Sequence, residues 1–297
     1  MRTNPFAADT GLLTEEELQY IDNQVVETFR YGLKGRQLFD VKDISQGGGA
    51  QQYRYYTEQD PSEAVIDMTG KGQSDDHPEK TANDVLVPVI HKEFFLNWRD
   101  VMSSRRSGDT SVIDSAIQTC TRKVREAEDK LLITGEYTGW GALGIDGLFT
   151  ATGRTTAAAS GNWPANFIAD INTGRAVLDG LGFEGETPIL IAPPAIVNGL
   201  DGAIANTEIT YKMFAMNNGL LKDVIGTSSA YAADGGVDSA LLVIPGQGNF
   251  YAVQDLPLEV NLWYDKVNNI YGTVRETITP IIARPTAVYE ISDITIA

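Results

Sequence analysis

The sequence predicts an α+β chain in which a mostly β framework carries one long helix and, inserted within it, an α/β lobe. Three observations predict it. The first is a helical pattern from Gly108 to Gly135, in which Ile113, Ala116, Ile117, Cys120, Val124, Ala127 and Leu131 recur at three- and four-residue steps and share one face. The second is a stretch from Ser45 to Asp84 that is too polar to bury a core of its own. The third is a change of character after Gly147, where short apolar strands begin to alternate with helical patterns before two long strands close the chain.

Residues 1–13 lack periodicity and read as an arm. Thr14 then opens a helix with a capping box, Thr14-Glu15-Glu16-Glu17; Leu18, Ile21, Val25 and Phe29 mark its buried face, and Gly35 ends it. Arg36 to Val41 is short and strand-like. In the polar stretch, Gln51 to Tyr56 has the aromatics and β-formers of an exposed strand, and Val65 to Met68 reads as its second strand. Such a long polar segment is expected to project as a hairpin arm and to find its partner on another subunit. Val85 to Trp98 returns to strand composition, with Pro88 arguing for an edge or a bulge.

For the long helix, Asp109, Thr110 and Ser111 offer N-cap oxygens, and Asp114 follows Ser111 by three residues. At about 1.5 Å per residue the rod is roughly 35 Å long. Beyond Gly147, Trp163 to Leu181 reads as a helix, Pro188 to Ala192 as a buried strand, and Asn198 to Met216 as partly helical. Leu241 to Pro245, Phe250 to Val253, Leu258 to Trp263, Ile270 to Ile282 and Ala287 to Ile291 read as strands.

The totals restrict function. The 297 residues carry a net charge of −17, with 42% hydrophobic and 21% charged residues. So acidic a surface repels nucleic acid and anionic lipid, which argues against sequence-specific DNA binding but not against confinement near DNA. No run approaches the ~20 apolar residues of a membrane span, and residues 1–6 have no signal-peptide core, so synthesis in the cytoplasm is expected. The single cysteine, Cys120, excludes an intramolecular disulfide and reads as a small buried hydrophobe.

Chemical motifs fail on context. Gly139-Trp140-Gly141-Ala142-Leu143-Gly144 spells G-x-G-x-x-G, but a helix precedes it where a dinucleotide site needs a strand, and a helix C-terminus has the wrong dipole sign for phosphate. Asp75-Asp76-His77 lies in the polar arm and His91 in a strand, which is too little for a metal site or a triad. No catalytic, cofactor-binding or metal-ligating residue is therefore assigned, and no enzyme is expected. A monomeric α/β enzyme would require a pocket lined by His77 or His91. Arg122, Lys123 and Arg125 with Glu126, Glu128 and Asp129 form a charged helix face. It reads equally as a solvated surface with i,i+4 pairs and as a salt-bridge surface between subunits.

This order of parts resembles the capsid fold named for phage Hong Kong 97, shared by tailed-virus major capsid proteins and encapsulin shells. Leu13-Thr14-Glu15, Ile21-Asp22-Asn23, Phe29, Gly35-Arg36 and Asp40-Val41 look like the opening of the encapsulin (linocin-like) branch. Gly108 to Gly147 looks like its spine helix, with Arg125 to Asp129 and Gly144-Ile145-Asp146-Gly147-Leu148. Arg284-Pro285-Thr286-Ala287 resembles the end of related phage capsid proteins. The arm and the lobe, at Asn162 to Ala165 and Ala230 to Val237, look enlarged relative to an encapsulin.

The resemblance implies a peripheral platform from 1–44, 85–150 and 263–297, an extended hairpin loop at 45–84, and an axial domain at 151–262. It implies a structural protein that self-assembles through hexamers and pentamers into an icosahedral virion capsid in the host cytoplasm. Double-stranded DNA would be held by confinement, with portal, scaffold or decoration proteins as accessory partners and no membrane. The alternative it implies is a nanocompartment enclosing a cargo enzyme.

Overall fold

The computed structural model describes residues 34–44, 49–58, 68, 80–106, 111–135, 144–204, 207–227 and 239–296. The helix expected from Thr14, the strand expected at Val65 to Asp67, and Asp75, Asp76, His77, Gly139 and Gly141 lie outside these residues.

Three sheets organise the described chain. A four-stranded platform sheet runs in the order β1 (Asp40–Asp43), β9 (Phe250–Tyr264), β10 (Ile270–Ile282), β4 (Val89–Leu96). β1 is parallel to β9, and β9, β10 and β4 are antiparallel. A five-stranded sheet runs β5 (Thr155–Ala158), β11 (Val288–Ser292), β8 (Ala240–Val243), β6 (Ile189–Ala192), β7 (Asp223–Gly226), and β2 (Gln52–Glu58) pairs with β3 (Lys80–Leu86) as a separate ribbon.

Alternation along the five-stranded sheet explains its continuous apolar runs, because both faces are covered. Ile189, Ile191, Leu241, Val243 and Val288 point into a core shared with Leu38, Phe39, Leu132, Ile133 and Phe250. Leu190, Leu242, Tyr289 and Ile291 point the other way, against Phe167, Ile171 and Leu178 of the Phe167–Leu178 helix.

The long helix is present as Ser111–Thr134. Its stripe behaves as the spacing requires: Ile113 and Ile117 pack with Val101 and Ile270, and Cys120 and Val124 with Val274. It therefore lies along one face of the platform sheet and leaves the other face exposed, where Val89 and Phe95 stand open and Phe95, Tyr271 and Trp263 form a cross-strand row.

Several expectations are corrected. The hairpin's return strand is Lys80–Leu86, so the arm ends two residues beyond the expected boundary at 84. Its cross-strand pairs, Tyr53 with Val85 and Arg54 with Asp84, set that register. Arg36 is not in a strand; Gly35–Leu38 is a helical turn before β1. Trp98 opens a helix, Trp98–Arg106, because the Asn97 carbonyl and side chain accept from Asp100 and Arg99 N–H groups at its start. Trp163 precedes its expected helix, and its indole N–H donates to Asp170 at 2.7 Å.

Phe250 to Val253 and Leu258 to Trp263 are one strand rather than two. Register shifts opposite Arg275–Ile278 absorb Pro257, and Leu256 N–H finds the Thr277 hydroxyl at 2.6 Å. The sheets run across residue 263. β9 belongs to the platform from Phe250 onward, and β11 returns to the five-stranded sheet.

Candidate functional site: the hairpin arm and the buried charge cluster at its base

The ribbon β2–β3 is a two-stranded sheet with no fully buried residue among its described strands. Among the described residues its two strands pair with one another and with no other strand. Isolated two-stranded ribbons are marginal in water, and both edges of this one present unpaired backbone groups. One face is half-buried through Tyr53, Tyr55, Thr57, Asn83 and Val85; the other exposes Tyr56 and Leu86. On the exposed face Arg54 forks onto Asp84 at 2.7 and 2.8 Å, and that contact holds the Asp84 carboxyl below its ordinary value. So exposed a pair fixes register more than it stabilises.

Polar and aromatic contacts anchor the root. Val87 N–H donates to Gln51 C=O at 3.0 Å, and Ala50 N–H to Asp255 Oδ2 at 2.8 Å. The Lys42 ammonium donates to Tyr53 Oη at 3.1 Å and lies 5.7 and 6.0 Å from the Tyr53 and Tyr251 ring centres. Burial, then the neighbouring Tyr53, pushes the Tyr251 phenol well above its ordinary value. Tyr55 reaches a cleft of about 230 Å³ lined also by Val85, Asp146, Thr152 and Pro285. There burial, then Asp146, raises its phenol too.

The charged helix face resolves into two parts. Arg122, Lys123 and Glu126 are exposed and pair locally, Lys123 Nζ to Glu126 at 2.6 Å. Arg125 and Glu128 are buried, and Glu128 finds its partner, Arg36, within the chain. Arg36 bridges Glu128 of the spine helix and Glu276 of β10, and Gln254 donates to Glu276 at 2.7 Å. Asp129 accepts from Gly35 N–H at 2.7 Å and from the Thr227 hydroxyl at 3.0 Å, tying the first turn, the spine helix and the five-stranded sheet together. Spacing carried the signal: Glu128 sits four residues after Val124 and three before Leu131, inside the apolar stripe.

A prediction arises here. Arg36→Met strands two carboxyl groups without their shared guanidinium and is expected to cost about 3 kcal/mol or more, read as a lower urea midpoint at neutral pH.

Other sequence candidates are dispersed. His91 is exposed on the open face of β4, and Cys120 is buried in the stripe, where burial pushes its thiol up. Gly144 adopts φ +65°, and a Cβ there would meet no described atom within 4 Å. Among the described residues no group of three His, Cys, Asp or Glu side chains could hold a metal ion, and no described helix is long and apolar enough to cross a membrane.

Comparison with known proteins identifies the architecture. The capsid of Myoviridae phage XM1 superposes with a TM-score of 0.70 at 13% identity, covering 88% of this chain and 92% of that one. The virus-like particle from Pyrococcus furiosus gives 0.66 at 13% identity, over 93% and 99%. The fold is thus the Hong Kong 97 capsid fold. In sequence, the chain is 28% identical over 186 residues to the type 1 encapsulin shell protein EncA of Myxococcus xanthus (strain DK1622), a match spanning 61% of each. The Linocin_M18 family, described as "Encapsulating protein for peroxidase", matches residues 7–250, and the chain belongs to that family.

Proposed function

We propose that this chain is the structural subunit of a self-assembling icosahedral shell, and that the shell is a tailed-virus capsid enclosing double-stranded DNA. One observation carries the shell reading: the β2–β3 ribbon offers two open edges and a partly apolar face that no other described strand covers. A neighbouring copy of the chain is the partner that closes such a surface, and repetition around a shell sums many weak contacts into a stable particle. The family match and the similarity to capsids and encapsulin shells support the same reading.

The long polar arm supports the viral branch, as does the net charge of −17, which lets a genome lie against the wall without adhering. A second reading, a nanocompartment around a cargo enzyme, is favoured by the family match and by the relative that is itself an encapsulin shell protein.

Electron microscopy of the purified protein is expected to show closed icosahedral shells; monomers alone at high concentration overturn the proposal. Particles purified from the source then separate the branches. Nuclease-protected double-stranded DNA with a portal vertex supports the capsid, and a co-purifying enzyme in a tailless shell supports the nanocompartment.

A further inference from the structure

Two buried carboxyl groups with unsatisfied oxygens are a defect unless a proton supplies the missing bond, and such a pair lies beneath the Gly35–Leu38 turn. Glu276 Oε1 accepts from Arg36 and from Gln254, and Glu128 Oε1 accepts from Arg36. Their other oxygens, Glu276 Oε2 and Glu128 Oε2, are buried and lack a donor among the described residues, while the shared Arg36 guanidinium brings the two carboxyl groups side by side. One proton held between those oxygens satisfies both.

We propose that Glu128 and Glu276 share one proton, that with Arg36 they form a latch fastening the Gly35–Leu38 turn to the spine helix and β10, and that mildly alkaline solution opens it.

The groups around the pair come from four elements. Arg36 reaches in from the turn, with its side chain 17% exposed at the edge of solvent. Arg125 and Asp129 flank Glu128 on the spine helix. β9 supplies the uncharged Gln254, and β4 carries Lys92 two residues from Ile90, the cross-strand partner of Glu276. With the proton in place, the two glutamates carry one negative charge between them beside Arg36. Once it leaves to solvent, they carry two in a buried site.

Burial, then the negative charge of Glu128, pushes Glu276 up to about 8, and burial likewise raises Glu128. Because the folded value lies above that of the unfolded chain, the contribution to stability is complete below the ordinary carboxylate range. It declines above that range and is lost as pH rises through about 8.

The test is the thermal midpoint of the full chain from about pH 6 to about pH 9.5, with infrared spectroscopy of the carboxylic-acid carbonyl band. The wild type is expected to lose on the order of 5 °C across this range and to lose the band with it. Glu276→Gln, whose amide donates to Glu128 permanently, is expected to flatten the profile and to exceed the wild type at the alkaline end. Glu128→Gln provides the same comparison if the first variant folds poorly, and the band in the wild type needs no variant. An unchanged slope in Glu276→Gln, or no carboxylic-acid band near neutral pH, overturns the proposal.

Discussion

Excising Gln52–Leu86 and joining Gln51 to Val87 through an Asn-Gly turn is expected to leave a folded subunit that no longer forms shells. The cut is geometrically mild, because Val87 N–H already bonds Gln51 C=O at 3.0 Å and the two ends adjoin. None of the four apolar cores draws a residue from β2 or β3, so among the described residues the subunit's own stability loses the half-buried contacts of Tyr53, Tyr55, Thr57, Asn83 and Val85 and no core side chain. Assembly loses far more, since one missing contact per subunit recurs at every position of a shell held by many weak interfaces. Circular dichroism and thermal unfolding check the first half; sedimentation velocity and electron microscopy check the second. An unfolded subunit would show that the ribbon supports its own chain, and intact shells would show that it contacts no neighbour.

The second large effect is expected from Gly147→Ala. The spine helix ends at Gly135, with φ +78°, and the chain passes back against it at Gly147 so closely that a Cβ there would lie 2.1 Å from Gly135 N and 2.6 Å from Thr134 C. Both obstacles are backbone, so no side chain can swing aside. The close approach is what lets Phe149 N–H bond Ile133 C=O at 2.9 Å and seats Leu148 and Phe149 in the core with Leu132 and Ile133. Separating the helix end from the returning chain to admit a methyl group is expected to cost roughly 3 kcal/mol or more, lowering the thermal midpoint by on the order of 5–10 °C. Gly144→Ala is the matched control. A Cβ there meets no described atom within 4 Å, and the left-handed backbone at φ +65° opposes the change by about 1 kcal/mol. Equal losses at the two sites would contradict the packing account.

The spine helix was legible because its information is local: an apolar stripe at helical spacing and a glycine stop both lie within the stretch that forms it. Helix Trp98–Arg106 was hidden because Phe94 to Trp98 reads as strand composition, and the deciding signal, the Asn97 cap, rests on one residue. Pro257 concealed the unity of β9, since a proline argues against a strand unless bulges opposite it take up the missing N–H, and bulges are settled by the partner strand. Strands β5 and β7 were missed for the same reason: Thr155–Ala158 and Asp223–Gly226 carry weak intrinsic preference and are strands because β11 and β6 template them. The hairpin was legible as a polar anomaly, yet its return strand was misplaced, because Lys80 to Asp84 is paired by register rather than by apolar pattern. The charged stretch of the spine helix held the buried Glu128, whose partner Arg36 lies 92 residues earlier in the chain and itself bridges to Glu276, 240 residues after Arg36. No local window contains that information.

The placement of β11 has a consequence for synthesis. The five-stranded sheet begins at Thr155, yet β11, made of Val288–Ser292, sits inside it between β5 and β8. Every element of the lobe from β5 to β8 must leave the ribosome and wait until that late strand follows before its sheet can close, since β5 and β8 touch through β11 alone. Chains interrupted in translation before residue 288 thus carry an open sheet edge and an incomplete core. Folding of the lobe becomes a proofreading step on chain length, passed only by molecules translated beyond Ser292.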